Sequence, residues 1–133
     1  MPAISGAAFA PAVNYGTGLG PSSVATGNLN GDAFPDVVTA NQVGNSVTVR
    51  LGTGGGVLGP AASFGAALAP TSVAIADLNG DTFQDLAVTG FDGDHVSILL
   101  GTGTGAFGPL TTFATGNGPD SVAIGKLNGD ARS

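Results

Sequence analysis

Short runs rich in Val, Ile, Leu, Thr and Phe recur along the chain, each bounded by Gly, Pro, Asn or Asp, and this punctuation predicts strands joined by tight turns. Four such runs fall at 72–76, 85–89, 95–100 and 107–113, and four more at 23–27, 36–40, 46–51 and 58–64. A lone copy of the fourth run precedes them at 9–15 and a lone copy of the first follows at 121–125, so ten strands are expected. The spacing is fixed: Ser23-Val24-Ala25, Ser72-Val73-Ala74 and Ser121-Val122-Ala123 lie 49 residues apart, and Leu-Asn-Gly-Asp follows each at one offset, at 29–32, 78–81 and 127–130. Pro11, Pro60 and Pro109 keep the same step, as do Pro21, Pro70 and Pro119.

A period of about 50 residues with one supersecondary unit per period marks propeller blades or stacked solenoids. Helical repeats are excluded, because each period spreads several glycines and prolines along its length. Four antiparallel strands per period describe a blade. The expectation is an all-β chain of β-propeller blades: 1–21 carry the last strand of a preceding blade, 22–70 a first blade, 71–119 a second, and 120–133 the first strand of a truncated third. Ten strands make about two and a half blades, fewer than the roughly four to eight of a closed propeller. Closure is therefore expected within a longer array, or by copies of the chain joining head to tail as a ring or filament.

Composition narrows this picture. At 133 residues and 42% hydrophobic, the chain has the size and apolar content of one domain with a core. Every acidic residue is Asp, which suits turns and short metal loops, whereas Glu favours helix surfaces. A net charge of −6, with only Arg50, Lys126 and Arg132 as cations, argues against a nucleic-acid partner. The absence of cysteine excludes disulfides and thiolate metal sites. No apolar run approaches the roughly 20 residues of a membrane span, so no membrane insertion is expected. Residues 1–10 lack the charged start and apolar core of a signal peptide; on an exported chain the signal would have been removed or lie on other sequence.

The candidate chemistry lies in two nine-residue stretches. Asp77-Leu78-Asn79-Gly80-Asp81-Thr82-Phe83-Gln84-Asp85 sets oxygen-bearing side chains at its first, third, fifth and ninth positions, and recurs upstream as Asn28-Leu29-Asn30-Gly31-Asp32-Ala33-Phe34-Pro35-Asp36. A hard cation such as calcium takes about six to eight oxygens near 2.4 Å, and a short loop that wraps on itself supplies them from alternating positions. The same stretches could fold as ion-free hairpins, because Asn and Asp cap their own turns.

Ser-Val-Ala, Asp-Leu-Asn-Gly-Asp, the closing Asp, the Leu-Gly-Thr-Gly turn and the Phe-Gly-Pro element together resemble the FG-GAP, or VCBS, repeats of bacterial extracellular proteins, which are similar to the calcium-bearing blades of the integrin α-subunit propeller. The resemblance implies calcium held in loop two by Asp77, Asn79, Asp81, Asp85 and the Phe83 carbonyl. In loop one it implies Asn28, Asn30, Asp32, Asp36 and the Phe34 carbonyl. Loop one has two carboxylates against three and is expected to bind more weakly. Both loops depart from the family after the third ligand, where it prefers Gly and this chain has Ala33 and Thr82. If that position requires a positive φ, a side chain there costs about 1 kcal/mol or more. The third copy is expected to fail, since Lys126 takes the first ligand position and no closing acid follows; Lys126 could pair with Asp130 instead.

Other signals look chemical but fall short. The glycine-rich stretches 52–56 and 101–105 lack the Lys-Ser/Thr pair and the following helix of a phosphate loop, so they read as flexible hairpin turns. His95, the only histidine, follows Asp92-Gly93-Asp94 in a turn, a thin set for catalysis or a transition metal. Phe9, Leu58 and Phe107 recur in register, as do Tyr15, Phe64 and Phe113, and are expected as core between blades. Phe34 and Phe83 are expected to cover the metal loops, leaving Tyr15 and Phe91 as the aromatics for a sugar-stacking surface. The functional expectation is a non-enzymatic, self-associating, extracellular or cell-surface module with a structural, adhesive or binding role toward a glycan or an extracellular protein. A lectin-like module with sites between blades is the alternative, and an accessory part of a hydrolase the next.

Overall fold

The computed structural model describes residues 9–125. Among them are eight strands and no helix: β1 (Pro21–Gly27), β2 (Asp36–Asn41), β3 (Ser46–Gly54), β4 (Val57–Gly65), β5 (Pro70–Ala76), β6 (Asp85–Gly90), β7 (His95–Gly101) and β8 (Phe107–Ala114). They form two four-stranded antiparallel meanders, β1-β2-β3-β4 and β5-β6-β7-β8. The register repeats between them: Val38 faces Val49 where Ala87 faces Ile98, and Val47 faces Phe64 where Val96 faces Phe113.

The inner strands carry the apolar load. β6 is buried at every position, and Val38, Val47 and Val49 are all but fully enclosed. The outer strands β4 and β8 are mostly exposed, and each carries a proline, Pro60 or Pro109. A residue with no N–H is tolerated on an edge strand and discourages further strand addition there.

β1 and β2 pack against β5, which joins the two sheets through one core. Leu29, Val38, Ala40, Val47 and Val49 of the first repeat meet Val73, Leu86, Val88 and Leu99 of the second. Phe64 and Phe107 close the outer part of this seam edge to face, with ring centroids 5.3 Å apart. At its inner end the Ser22 hydroxyl donates to the Pro70 carbonyl (2.7 Å), and the Ser23 hydroxyl oxygen accepts from the Val73 N–H (3.3 Å). One period on, Thr71 donates to the Pro119 carbonyl (3.1 Å) and Ser72 accepts from the Val122 N–H (3.4 Å). Residues 119–122 thus lie on β5 much as β5 lies on β1.

Two sequence expectations are corrected. Residues 9–15 and 121–125 form no strand, so the described chain has eight strands rather than ten. A fourth or first strand that lacks its hairpin neighbour has no ladder to join. The aromatic core holds where two repeats meet and lapses at the ends. Phe64 is half-buried under Phe107, whereas its counterpart Phe113 is 56% exposed and Phe9 is 99% exposed. Tyr15 does take the place in register of Phe64: its hydroxyl oxygen accepts from the Leu58 N–H (3.3 Å) and the Arg50 guanidinium lies 5.6 Å from its ring centroid.

Candidate metal centre

Each candidate loop connects the first two strands of a sheet, residues 28–35 between β1 and β2 and 77–84 between β5 and β6. Both turn at a glycine with a left-handed backbone, Gly31 (φ 79°) and Gly80 (φ 80°), where a side chain would be strained.

In loop two the first-position carboxylate organises the turn. Asp77 Oδ1 accepts from the Gly80 N–H (2.7 Å) and Oδ2 from the Thr82 N–H (2.9 Å). These backbone donors, Thr82 foremost, hold the Asp77 carboxyl below its usual 3.8. Asn79 Oδ1 accepts from the Asp81 N–H (3.3 Å), its Nδ2 donates to Asp81 Oδ2 (3.2 Å), and Asp81 Oδ1 accepts from the Phe83 N–H (2.9 Å). The closing residue is wholly buried: Asp85 Oδ2 accepts from the Leu78 N–H (2.7 Å) and Oδ1 from the Gly101 N–H (2.8 Å).

Loop one repeats most of this. Asn30 Oδ1 accepts from the Asp32 N–H (3.3 Å) and its Nδ2 donates to Asp32 Oδ2 (3.0 Å), while Asp32 Oδ1 accepts from the Phe34 N–H (3.0 Å). Buried Asp36 accepts from the Leu29 N–H at 2.7 Å and the Gly52 N–H at 2.8 Å. The first position differs. Asn28 has one acceptor oxygen, which takes the Gly31 N–H (2.9 Å), and its amide nitrogen donates to the Asp32 carbonyl. No second oxygen is available to draw in the following N–H, so Ala33 keeps a negative φ where Thr82 is pulled to 76°.

The donor sets fit a hard cation to different degrees. One oxygen each from Asp77, Asp81 and Asp85 lies within 4.8 Å of the others. Oxygens on opposite sides of a calcium ion are about 4.6–5.2 Å apart, so these three can share one ion with little movement. Arg50, the only Lys or Arg among the described residues, is spent on the Gly16 and Gly59 carbonyls and brings no countercharge there. Loop one offers Asp32 and Asp36 as its carboxylates, with neutral amides at Asn28 and Asn30. Lys126 and Asp130 lie outside the described residues.

Phe34 and Phe83 reach beyond their own loops to the hairpins beside them. Each ring lies on a hairpin glycine, where an added Cβ would come within 2.9 Å of Phe34 at Gly54 and 2.6 Å of Phe83 at Gly103, and each residue stays about two-fifths exposed. The sequence reading also missed Gly52 and Gly101, which receive the closing aspartates. A Cβ at either would overlap the carbonyl oxygen of Pro35 or Gln84. Their signal was the recurring Leu-Gly-Thr-Gly at 51–54 and 100–103, which reads as a flexible turn until the loop opposite is in view. Asn45 and Asp94 were missed as well. Left-handed at φ 50° and 51°, they accept from the Ala69 and Gly118 N–H groups (both 2.8 Å) and pin the connection leaving each sheet.

No curated protein and no solved structure matches the chain. The family model for an FG-GAP-like repeat matches it twice, over residues 28–88 and 77–133, each match opening on the first position of a loop. These matches cover most of the sequence in steps of its own period, and the chain belongs to the FG-GAP-like repeat family.

Proposed function

We propose that the chain is a non-enzymatic, calcium-binding module of β-propeller type, with a structural or adhesive role outside the cell or at its surface. The convergence of Asp77, Asp81 and Asp85 carries this reading. In loop two the ligands are the side chains of Asp77, Asn79, Asp81 and Asp85 with the Phe83 carbonyl. Loop one uses Asn28, Asn30, Asp32, Asp36 and the Phe34 carbonyl, and binds more weakly for want of a third carboxylate. A bound calcium ion supplies a compact double positive charge that offsets the repulsion among the gathered carboxylates. Membership of the repeat family supports the non-enzymatic part, and His95, the one histidine, spends Nδ1 on the Gly93 carbonyl (2.7 Å).

Self-association belongs to the same proposal. Val24 is 63% exposed where its counterpart Val73, covered by the neighbouring sheet, is 6% exposed, and Phe113 stands bare where Phe64 is covered. A further repeat, supplied by another copy, would bury such faces. One observation favours a lectin-like role instead: a cleft of about 300 Å³ between the two loops, lined by Asn28, Leu29, Gly31, Thr82, Phe83, Gln84 and Gly103. A glycan array run in calcium separates the two, since a structural module leaves it blank.

Calorimetric titration with calcium, on the full chain and on Asp81→Ala, tests the metal reading. Two unequal sites are expected, the tighter one lost in the variant. No saturable uptake at millimolar calcium would refute it.

A further inference from the structure

We infer that the closing aspartate of each loop, Asp36 and Asp85, is a positioning residue that fastens the loop to the hairpin across the sheet whether or not an ion is bound. Each of its two oxygens already has a backbone donor. One N–H comes from the second loop residue, Leu29 or Leu78, and the other from the hairpin glycine, Gly52 or Gly101, all at 2.7–2.8 Å. These are the lengths of charge-assisted bonds. Both carboxylates are fully buried, so these backbone donors stand where water would otherwise bond.

The two copies separate this role from metal binding. The first loop position differs in charge, Asn28 against Asp77, and the sixth differs in backbone conformation, yet the fastening is the same in both loops, 2.7 Å to the leucine N–H and 2.8 Å to the glycine N–H. An arrangement imposed by an ion would vary with the ion's other ligands. The receiving site is also shaped for the purpose, because a Cβ at Gly52 or Gly101 would overlap the carbonyl of the residue before the aspartate.

Each oxygen of Asp85 keeps a second lone pair. A cation drawn in by Asp77 and Asp81 therefore meets an acceptor whose place is already set, and binding orders only the exposed half of the loop. This conclusion rests on the backbone bonds and stands apart from the calcium reading.

Amide hydrogen exchange by NMR on the full chain, first in excess chelator and then in calcium, tests it. The Leu29, Gly52, Leu78 and Gly101 amides are expected to be protected in chelator. Calcium should shift the Gly80, Asp81 and Thr82 resonances and leave that protection in place. Asp85→Asn, which exchanges an acceptor for a donor, should speed exchange at Leu78 or Gly101 by about tenfold or more, with or without calcium, and leave Leu29 and Gly52 unmoved. Protection of the four amides only in calcium would overturn the inference, as would its rescue by calcium in Asp85→Asn. Resonances at 80–82 that ignore calcium would count against the metal reading alone.

Discussion

Glycine placed at the sixth position of each loop should act with opposite signs. Thr82 sits at φ 76°, a left-handed conformation that costs an L-residue about 1–2 kcal/mol, with β-branched side chains toward the upper end. Asp77 holds it there by accepting its N–H, a bond that glycine keeps. Thr82→Gly removes the strain and adds back about 0.4–1 kcal/mol of unfolded-state entropy, for a net gain of about 0.5–1 kcal/mol. At the equivalent place Ala33 has a negative φ and no strain to relieve. Ala33→Gly should therefore lose about 0.4–1 kcal/mol. Urea denaturation in chelator reads both, and the midpoints in a thermal scan should move apart by a few degrees. Two variants that shift stability in the same direction would refute the account of how the first-position side chain sets the turn.

A buried hydroxyl and a pH dependence give two further tests. Ser97 Oγ is buried without a hydrogen-bond partner, so Ser97→Ala should be neutral or stabilising. Its counterpart Thr48 accepts from the Gly18 N–H and from buried Asn41, whose amide also donates to Ser46 Oγ, and Thr48→Val should cost about 1–3 kcal/mol by leaving the Gly18 N–H and one Asn41 amide hydrogen without an acceptor; equal effects at the two sites by denaturant titration would contradict this. The lowered pKa of Asp77 means that its contribution to stability is complete above the usual value of 3.8 and is lost as pH falls below it through the folded-state midpoint. An NMR titration of the Asp77 carboxyl carbon in chelator should give a midpoint below that value, and one above it would contradict the role of the Thr82 and Gly80 donors.

The fold was legible because each cue was local and repeated. Strand cores came from the spacing of Val, Leu and Ile against Gly and Asx turns, and most bounds fall within a residue or two of those expected, as at 36–40 against Asp36–Asn41. The lone terminal strands were not legible, because a run with strand composition forms a strand only beside a partner. Phe9 and Phe113 show the same limit, being apolar in register yet uncovered. Within the site, the alternating oxygens of 77–85 announced the gathered carboxylates. The division of labour among them was hidden, because what occupies Asp85 is the N–H of Gly101, sixteen residues along the chain at the end of the neighbouring strand β7. The effect of Asn28 against Asp77 depends on one extra acceptor oxygen and emerges only with the backbone in place.

The most direct measurement is an anomalous difference map from crystals grown in millimolar calcium. The account predicts a strong peak in loop two, about 2.4 Å from oxygens of Asp77, Asp81 and Asp85, and a weaker one in loop one. Ordered density for loop two with no peak there at that concentration would contradict it.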